Sequence, residues 1–290
     1  MLWLLAPLKL IPWAISRLPW FLQRAIGAAL GLIWFDVLRI RRQVVINNLK
    51  IAYPEMSLAD RRKLGRLAMI EFCTNIIQYS WIPFLDKDSL ERHFIIEGLE
   101  NLEKARAKGK GVAMLTLHIG NGDLAVAGLG LMGLPVHLVS KVMKAKWLND
   151  LWFGMRERVG VRFIEPRNSS FAILKAFKRN EIVIFVNDQF TGPPIGIKAR
   201  FFNHDAGTAL GLATMVERSG SPVVPVYNLR LPDGRIRIVF EPEIPFEQRG
   251  DHDQSLAHMT QAYNDRLEQY VRMCPQQWMW IHKRWKLFKY

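Results

Sequence analysis

Short apolar runs alternate with helix-like stretches over residues 111–240, and this alternation constrains the fold more than any other feature. The run at 112–117 follows Gly111 and reads as a buried strand. A helix-like stretch at 123–131 comes next. Then follow a strand at 136–140, a helix at 147–159, a short strand at 161–164, a helix at 170–179 and an apolar strand at 182–186. Repetition of strand and helix implies one α/β domain around a central, mostly parallel sheet flanked by helices. Residues 187–200, rich in Gly, Pro and basic side chains, read as a loop, and 207–219 as a helix. Strands at 223–229 and 235–240 form a β-hairpin around Pro232-Asp233-Gly234. Ser57-Leu-Ala-Asp60 is a capping-box pattern that starts a helix running to about Trp81, and 254–273 is a last long helix.

Half of the 290 residues are hydrophobic and 23% are charged, which excludes a disordered chain. Cys73 and Cys274 cannot make a disulfide framework and fit a reduced compartment. The net charge of +14 gathers at the two ends. Residues 1–50 hold Lys9, Arg17, Arg24, Arg39, Arg41, Arg42 and Lys50 against Asp36 alone. Residues 272–290 hold Arg272, Lys283, Arg284, Lys286 and Lys289 with no acid. Trp3, Trp13, Trp20 and Trp34 share the first region, and Trp278, Trp280 and Trp285 the second. Cationic stems with amphipathic rings suit the headgroup layer of an anionic membrane. Nucleic acid is not the expected partner, because there is no zinc-finger spacing and no continuous basic helix.

The stretch 18–38 is interrupted by Arg24 and Asp36, and its longest uncharged run, 25–35, has 11 residues. A spanning helix needs about 20 mostly apolar residues. Two membrane readings stay open. One is a single span with Arg39, Arg41 and Arg42 on the cytoplasmic side. The other is a set of interfacial helices broken at Pro7, Pro12 and Pro19. A buried helix of a soluble protein is the third. The expected organisation is an N-terminal hydrophobic, membrane-anchoring helical segment over 1–50 and an α/β catalytic domain over 51–290.

His118-Ile-Gly-Asn-Gly-Asp123 is the sharpest chemical signal. The His follows an apolar strand, and ligands gather at the carboxyl ends of strands in open α/β sheets. Gly120 and Gly122 permit a tight turn that would fold the Asp123 carboxylate back to the imidazole. A carboxylate on one ring nitrogen leaves the other free to act as a base toward a hydroxyl. The bland reading is a His bridging a core turn. Asp188 also follows a strand and would bond the dyad, bond a substrate hydroxyl or cap its loop. Lys198 and Arg200 in the basic loop would grip phosphate or face solvent. Gly128-Leu-Gly130-Leu-Met-Gly133 matches a dinucleotide fingerprint in letters only, since no strand precedes it. His204-Asp205 and His252-Asp253 lack metal-site spacing, so no metal and no cofactor is expected.

The chain resembles the late acyltransferases of lipid A biosynthesis, within the lysophospholipid acyltransferase superfamily. Arg42, Asn47-Asn48-Leu49 and Tyr53-Pro54-Glu55 are similar to that family's stretch after its anchor. His118 to Asp123 resembles its catalytic core, and Arg156 with Gly160 its next segment. Asp188-Gln189, Phe201-Phe202, Ala206 and Thr208 resemble its following run. Val224-Pro225-Val226 with Arg230, Asn264 and 275–286 resemble its remaining signatures. Asn203, Gln276 and Lys283 depart from its usual Gly, Glu and Arg. The resemblance implies acyl transfer from a thioester, on acyl carrier protein or coenzyme A, to a hydroxyl of a lipid A precursor. The place implied is the cytoplasmic face of the inner membrane. It implies His118 as general base oriented by Asp123. Asn121, Arg156, Asp188, Gln189, Lys198, Arg200, Thr208 and Arg230 become substrate-binding candidates. A lysophospholipid or mannoside glycolipid acceptor is the alternative, and a non-catalytic membrane scaffold is the alternative of another class.

Overall fold

The computed structural model describes residues 6–141, 144–166 and 169–287. Trp3 and Lys289, counted above in the charged and aromatic ends, lie outside the described residues. Seven strands form the main sheet: β1 (Phe94–Glu97), β2 (Val112–Thr116), β3 (Val136–Val139), β4 (Arg162–Ile164), β5 (Ile182–Val186), β8 (Val223–Arg230) and β9 (Ile236–Phe240). Their order is β1-β9-β8-β2-β5-β3-β4. All neighbours are parallel except β8 and β9, which form the expected hairpin. β2 and β5 sit in the middle because their side chains are apolar on both faces. Val112 to Leu115 and Ile182 to Ile184 are almost wholly buried, the signature of a strand covered on both sides. Helices α6 (Leu99–Arg106), α7 (Gly122–Leu131), α8 (Lys146–Glu157), α9 (Ser170–Lys178), α10 (Gly211–Ser219) and α11 (His252–Met273) accompany the strands. The expected α/β architecture is therefore present. Gly128 and Gly130 of the false fingerprint are buried in α7, where Gly128 faces Phe94 and Gly130 the Val159 carbonyl.

Residues 187–210 differ from expectation. A hairpin, β6 (Gly196–Phe201) and β7 (His204–Ala209), replaces part of the expected loop and the first turn of the expected helix. Its turn is Phe202-Asn203, with φ of 53° and 58°. Two left-handed residues make the tight turn that suits strand twist, and Asn tolerates that conformation. Asn203 can thus stand where the family usually has Gly.

The N-terminal third is helical: α1 (Ala6–Arg17), α2 (Trp20–Leu32), α3 (Arg42–Ala52), α4 (Leu58–Gln78) and the short α5 (Ser89–His93). The α4 start uses Ser57 as cap, its side chain accepting from the Asp60 N–H. Pro19 breaks α1 from α2, and α2 continues through a π-type turn to Leu38. α2 runs antiparallel along α4, and Phe35, Val45, Leu49 and Ala52 join the core. The aromatic expectation needs correction. Trp20 packs on Trp81 and donates to the Pro232 carbonyl, and Trp34 packs on Phe72. Trp278 and Trp280 are buried beside Phe201, Phe202 and Tyr53. Rings of this size gain more from core burial than from a surface position. Arg284 is fully buried too, so the C-terminal end is less of a cationic surface than its sequence implies.

Candidate active site

β2 and β5 are neighbours, and Thr116 is in register with Val186. Two residues past that pair, on the carboxyl edge of the sheet, stand His118 and Asp188. His118 Nδ1 lies 2.7 Å from Asp188 Oδ1, and the His118 backbone N–H donates to Oδ2 at 3.0 Å. Trp278 Nε1 donates to the same Oδ2 at 2.7 Å. Asp188 is thus held by three N–H donors, and its side chain is only 2% exposed, whereas His118 is 36% exposed. Burial opposes ionisation of Asp188, but the imidazole beside it and the two other donors hold the carboxyl well below its ordinary range. Burial alone would lower the His118 pKa. The facing carboxylate outweighs it and raises the value above the usual 6.5. With Nδ1–H given to Asp188, Nε2 is the free ring nitrogen, and it faces the cavity with the Gln189 amide nitrogen 3.3 Å away.

A strap from the C-terminal segment holds this arrangement. Ile119 bridges Trp278, the Met279 N–H donates to the His118 carbonyl, and the Gly120 N–H donates to the Gln277 carbonyl. Gly120 has φ +62°, and a Cβ there would lie 2.3 Å from the Asn228 carbonyl oxygen. Only glycine fits that approach. Asn75 Nδ2 donates to the Gly120 carbonyl at 2.6 Å, so α4 pins the loop from the other side.

The expected contact between Asp123 and His118 is not made. Asp123 lies in the first turn of α7, and its side chain leaves the helix toward α8. There Arg156 Nη2 donates to Asp123 Oδ1 at 2.5 Å, and the Tyr79 hydroxyl also hydrogen-bonds it. Asp123 still lines the cavity and adds to the negative field at His118. Arg156, expected to bind an anion, is wholly buried. Its other terminal nitrogen donates to the Trp152 carbonyl, and the guanidinium sits 4.0 Å from the Trp152 ring centroid. A guanidinium committed in this way has no face to offer a substrate.

Three more candidates prove to be struts. Asn121 is buried and caps α7 by accepting from the Leu124 N–H. Thr208 is buried between Asn264 Nδ2 at 3.0 Å and Arg284 Nη2 at 2.8 Å. Arg230 is 6% exposed and committed to Glu71, Asn75 and Gln78 of α4. Thr208 and Arg230 are buried because their partners arrive from distant chain, which spacing alone does not reveal. Lys198 and Arg200 are exposed on the outer side of β6 and do not line the cavity. Gln189 does line it. Sequence reasoning missed Trp278, Asn75 and Glu71. The indole of Trp278 was visible within the C-terminal signature, but its partner was not.

His118 opens onto a cavity of about 860 Å³, within the range of small-ligand sites. Its rim carries Gln189, Phe190 and Ile195, and its polar wall Asn75, Tyr79 and Asp123. Inward it becomes apolar. Met114, Ile184, Val226 and Ile238 of the sheet face Val126 and Leu129 of α7. The positive end of the α7 dipole faces the same space, since Gly120, Gly122 and Asp123 line it. Among the described residues no cluster of His, Cys, Asp and Glu could hold a metal ion.

The profile of the bacterial lipid A biosynthesis acyltransferase family matches residues 3–287. The chain belongs to that family. It is an O-acyltransferase, as its named relatives are. It is 24% identical over 278 residues to the lipid A biosynthesis lauroyltransferase of Escherichia coli K12, covering 94% of this chain and 88% of that protein. The palmitoleoyltransferase of the same organism is 25% identical over 277 residues, covering 94% and 88%. A phosphatidylinositol mannoside acyltransferase of Mycobacterium tuberculosis is 23% identical over 219 residues, covering 70% of this chain and 64% of that one.

Proposed function

We propose that this enzyme moves a fatty acyl chain from a thioester to a hydroxyl of a lipid A precursor, with His118 as general base and Asp188 as its orienting partner. The observation that carries this reading is the His118–Asp188 pair at the mouth of a cavity that turns apolar inward. Neutral His118 holds its proton on Nδ1, so Nε2 takes the acceptor's hydroxyl proton as the oxygen attacks the thioester carbonyl. Collapse of the tetrahedral intermediate breaks the C–S bond, and the imidazolium returns that proton to the departing sulfur. The helix dipole of α7 favours the transient oxyanion. The acyl chain lies along Met114, Val226, Ile238 and Leu129. Asp123, neutralised by Arg156 and held by Tyr79, shapes the polar wall where the acceptor binds.

An acidic acyl carrier protein is the donor carrier that suits a chain of net charge +14, with acyl coenzyme A as the other option. The catalytic domain works at the cytoplasmic face of the inner membrane, against an anionic lipid surface. The mycobacterial relative favours a second reading, a mannoside glycolipid acceptor. An assay in detergent micelles separates the two. Carrier-protein and coenzyme A thioesters are offered with a Kdo-bearing lipid A precursor, a phosphatidylinositol mannoside or a lysophospholipid. Transfer to the lipid A precursor by wild type, lost in His118→Ala, is expected. Transfer to the mannoside alone moves the enzyme to the second reading, and transfer to the lysophospholipid alone or to none overturns both.

A further inference from the structure

By length and composition the segment Trp20–Leu38 could cross a bilayer. Its packing argues otherwise. Residues 23, 27, 31 and 35 recur every four positions and form a buried seam of Gln23, Gly27, Gly31 and Phe35 against α4. A Cβ on Gly27 would lie 2.4 Å from Thr74 Oγ1, and one on Gly31 would lie 2.6 Å from the Ile70 Cα. The two helices therefore touch backbone to backbone.

Polar ties run along the same seam. Arg24 donates to Thr74 Oγ1 at 2.8 Å and pairs with Glu71 at 2.5 Å. Asp36 accepts from Arg66 Nε at 2.7 Å. Gln23 accepts from the Trp81 indole and donates to the Leu18 carbonyl. On its other side α4 buries Ala68, Met69, Cys73 and Ile77 in the protein.

The opposite face of the segment is exposed and without charge. Phe21, Leu22, Ala25, Ile26, Ala29, Leu30, Ile33 and Val37 form it, with Phe21 68% and Val37 71% exposed. Exposed Arg17 stands beyond one end, and exposed Arg39 and Arg41 beyond the other. An apolar stripe between cations is the pattern of a helix lying in the headgroup boundary of an anionic leaflet.

We infer that Trp20–Leu38 does not cross the membrane. It lies flat in one leaflet of anionic phospholipid, and α1 stays on the same side as the catalytic domain. This rests on the reading that the enzyme works at a membrane, and not on acyl transfer. To span, the segment would have to leave α4. Gln23, Arg24 and Asp36 would then face hydrocarbon, and Glu71 and Arg66 would lose their partners. Taking α4 along would drag Arg61, Arg62, Lys63 and Arg66 into the bilayer. The flat arrangement also has a use. Ala68, Phe72 and Asn75 of α4 line the cavity, so α4 and the segment packed on it are the layers that lie between it and lipid.

The test uses the full chain in vesicles of phosphatidylethanolamine and phosphatidylglycerol. Phe21→Cys, Leu30→Cys and Val37→Cys are each spin-labelled, with wild type labelled in parallel to account for buried Cys73 and Cys274. Immersion depth is then read by oxygen and nickel accessibility. All three labels are expected at one shallow depth, about 5–10 Å below the phosphates. A label at the midplane for Leu30→Cys, with the other two at opposite interfaces, overturns the inference. Three water-exposed labels overturn it as well and make the stripe a protein-docking face. As a second readout, an epitope placed before Met1 is expected to resist protease added to spheroplasts, whereas a span exposes it. Neither measurement needs turnover. An active enzyme with a midplane label would sink this inference and leave the transfer reading standing.

Discussion

Replacing Asp188 by Asn keeps the side chain's shape and changes which atoms can accept. In the wild type Oδ2 takes two N–H donors, from the His118 backbone and Trp278, while Oδ1 faces Nδ1. An amide has one oxygen, and the two donors claim it. Its NH₂ then faces Nδ1, which must become the acceptor, so the ring proton moves to Nε2. A protonated Nε2 in a neutral ring cannot take a proton from a hydroxyl. The analogous tautomer error in the serine-protease triad lowers kcat by about 10⁴. A loss of roughly 10³–10⁴ in kcat/KM is expected here, about 4–5.5 kcal/mol of transition-state stabilisation. The assay is initial-rate acyl transfer in micelles, with circular dichroism and Tm confirming the fold. Asp188→Asn that keeps more than a tenth of wild-type kcat/KM, while His118→Ala is inactive, would refute the assigned partnership.

Asp123→Asn should leave the His118 tautomer intact but strip buried Arg156 of its counter-ion. A stability loss of about 3 kcal/mol follows from breaking such a pair, and urea unfolding measures it; an unchanged midpoint would mean the pair is not formed. The acid limb of kcat/KM should fall on the high side of 6.5, because Asp188, outweighing burial, raises the imidazole. The same shift makes the charged pair stabilising in full below the unfolded imidazole's pKa. That contribution is lost as pH rises through the folded value. The Tm gap between wild type and His118→Gln should therefore be widest in acid and narrow above neutrality, and a gap that widens with pH contradicts the sign. Ile238→Phe narrows the inner cavity, and removing room for about two methylenes costs near 1.6 kcal/mol. Competition between long and short acyl thioesters should then favour the short one by about tenfold, and an unchanged product ratio would place the chain elsewhere.

Much of the sheet was legible because β2, β5 and β8 are apolar runs bounded by turns. Such runs have few alternatives to a covered parallel strand. β1 and α6 were not read, since 94–106 is short and carries Glu97, Glu100, Glu103, Lys104 and Arg106. The β6–β7 hairpin was hidden by its small and charged residues, which mimic a loop. In the site, His118 was found from its place after a strand, and the same logic marked Asp188. The partner was misassigned because spacing along the chain shows that residue 123 is near residue 118. It does not show that the Asn121 cap turns residue 123 into α7 and toward Arg156. Register across the sheet decides the pairing, and register belongs to two distant segments. Thr208 and Arg230 stand among the substrate-binding candidates for the same reason, because the partners that bury them lie 56 and 159 residues away.

The strap at 277–279 sets a timetable for the chain as it is made. A nascent polypeptide already past residue 240 contains every strand of the sheet, His118 and Asp188, and the whole apolar cavity floor. It still lacks the indole that holds Asp188 and the backbone partners of residues 118–120. Arg284, which ties the Gln189 and Gly207 carbonyls together, arrives later still. The set of hydrogen bonds that fixes Asp188 against His118 is therefore complete only once synthesis has passed the strap. Such a nascent chain also lacks α11, whose Leu256, Met259, Tyr263 and Leu267 fill the core, so core and strap are both completed by the last fifty residues.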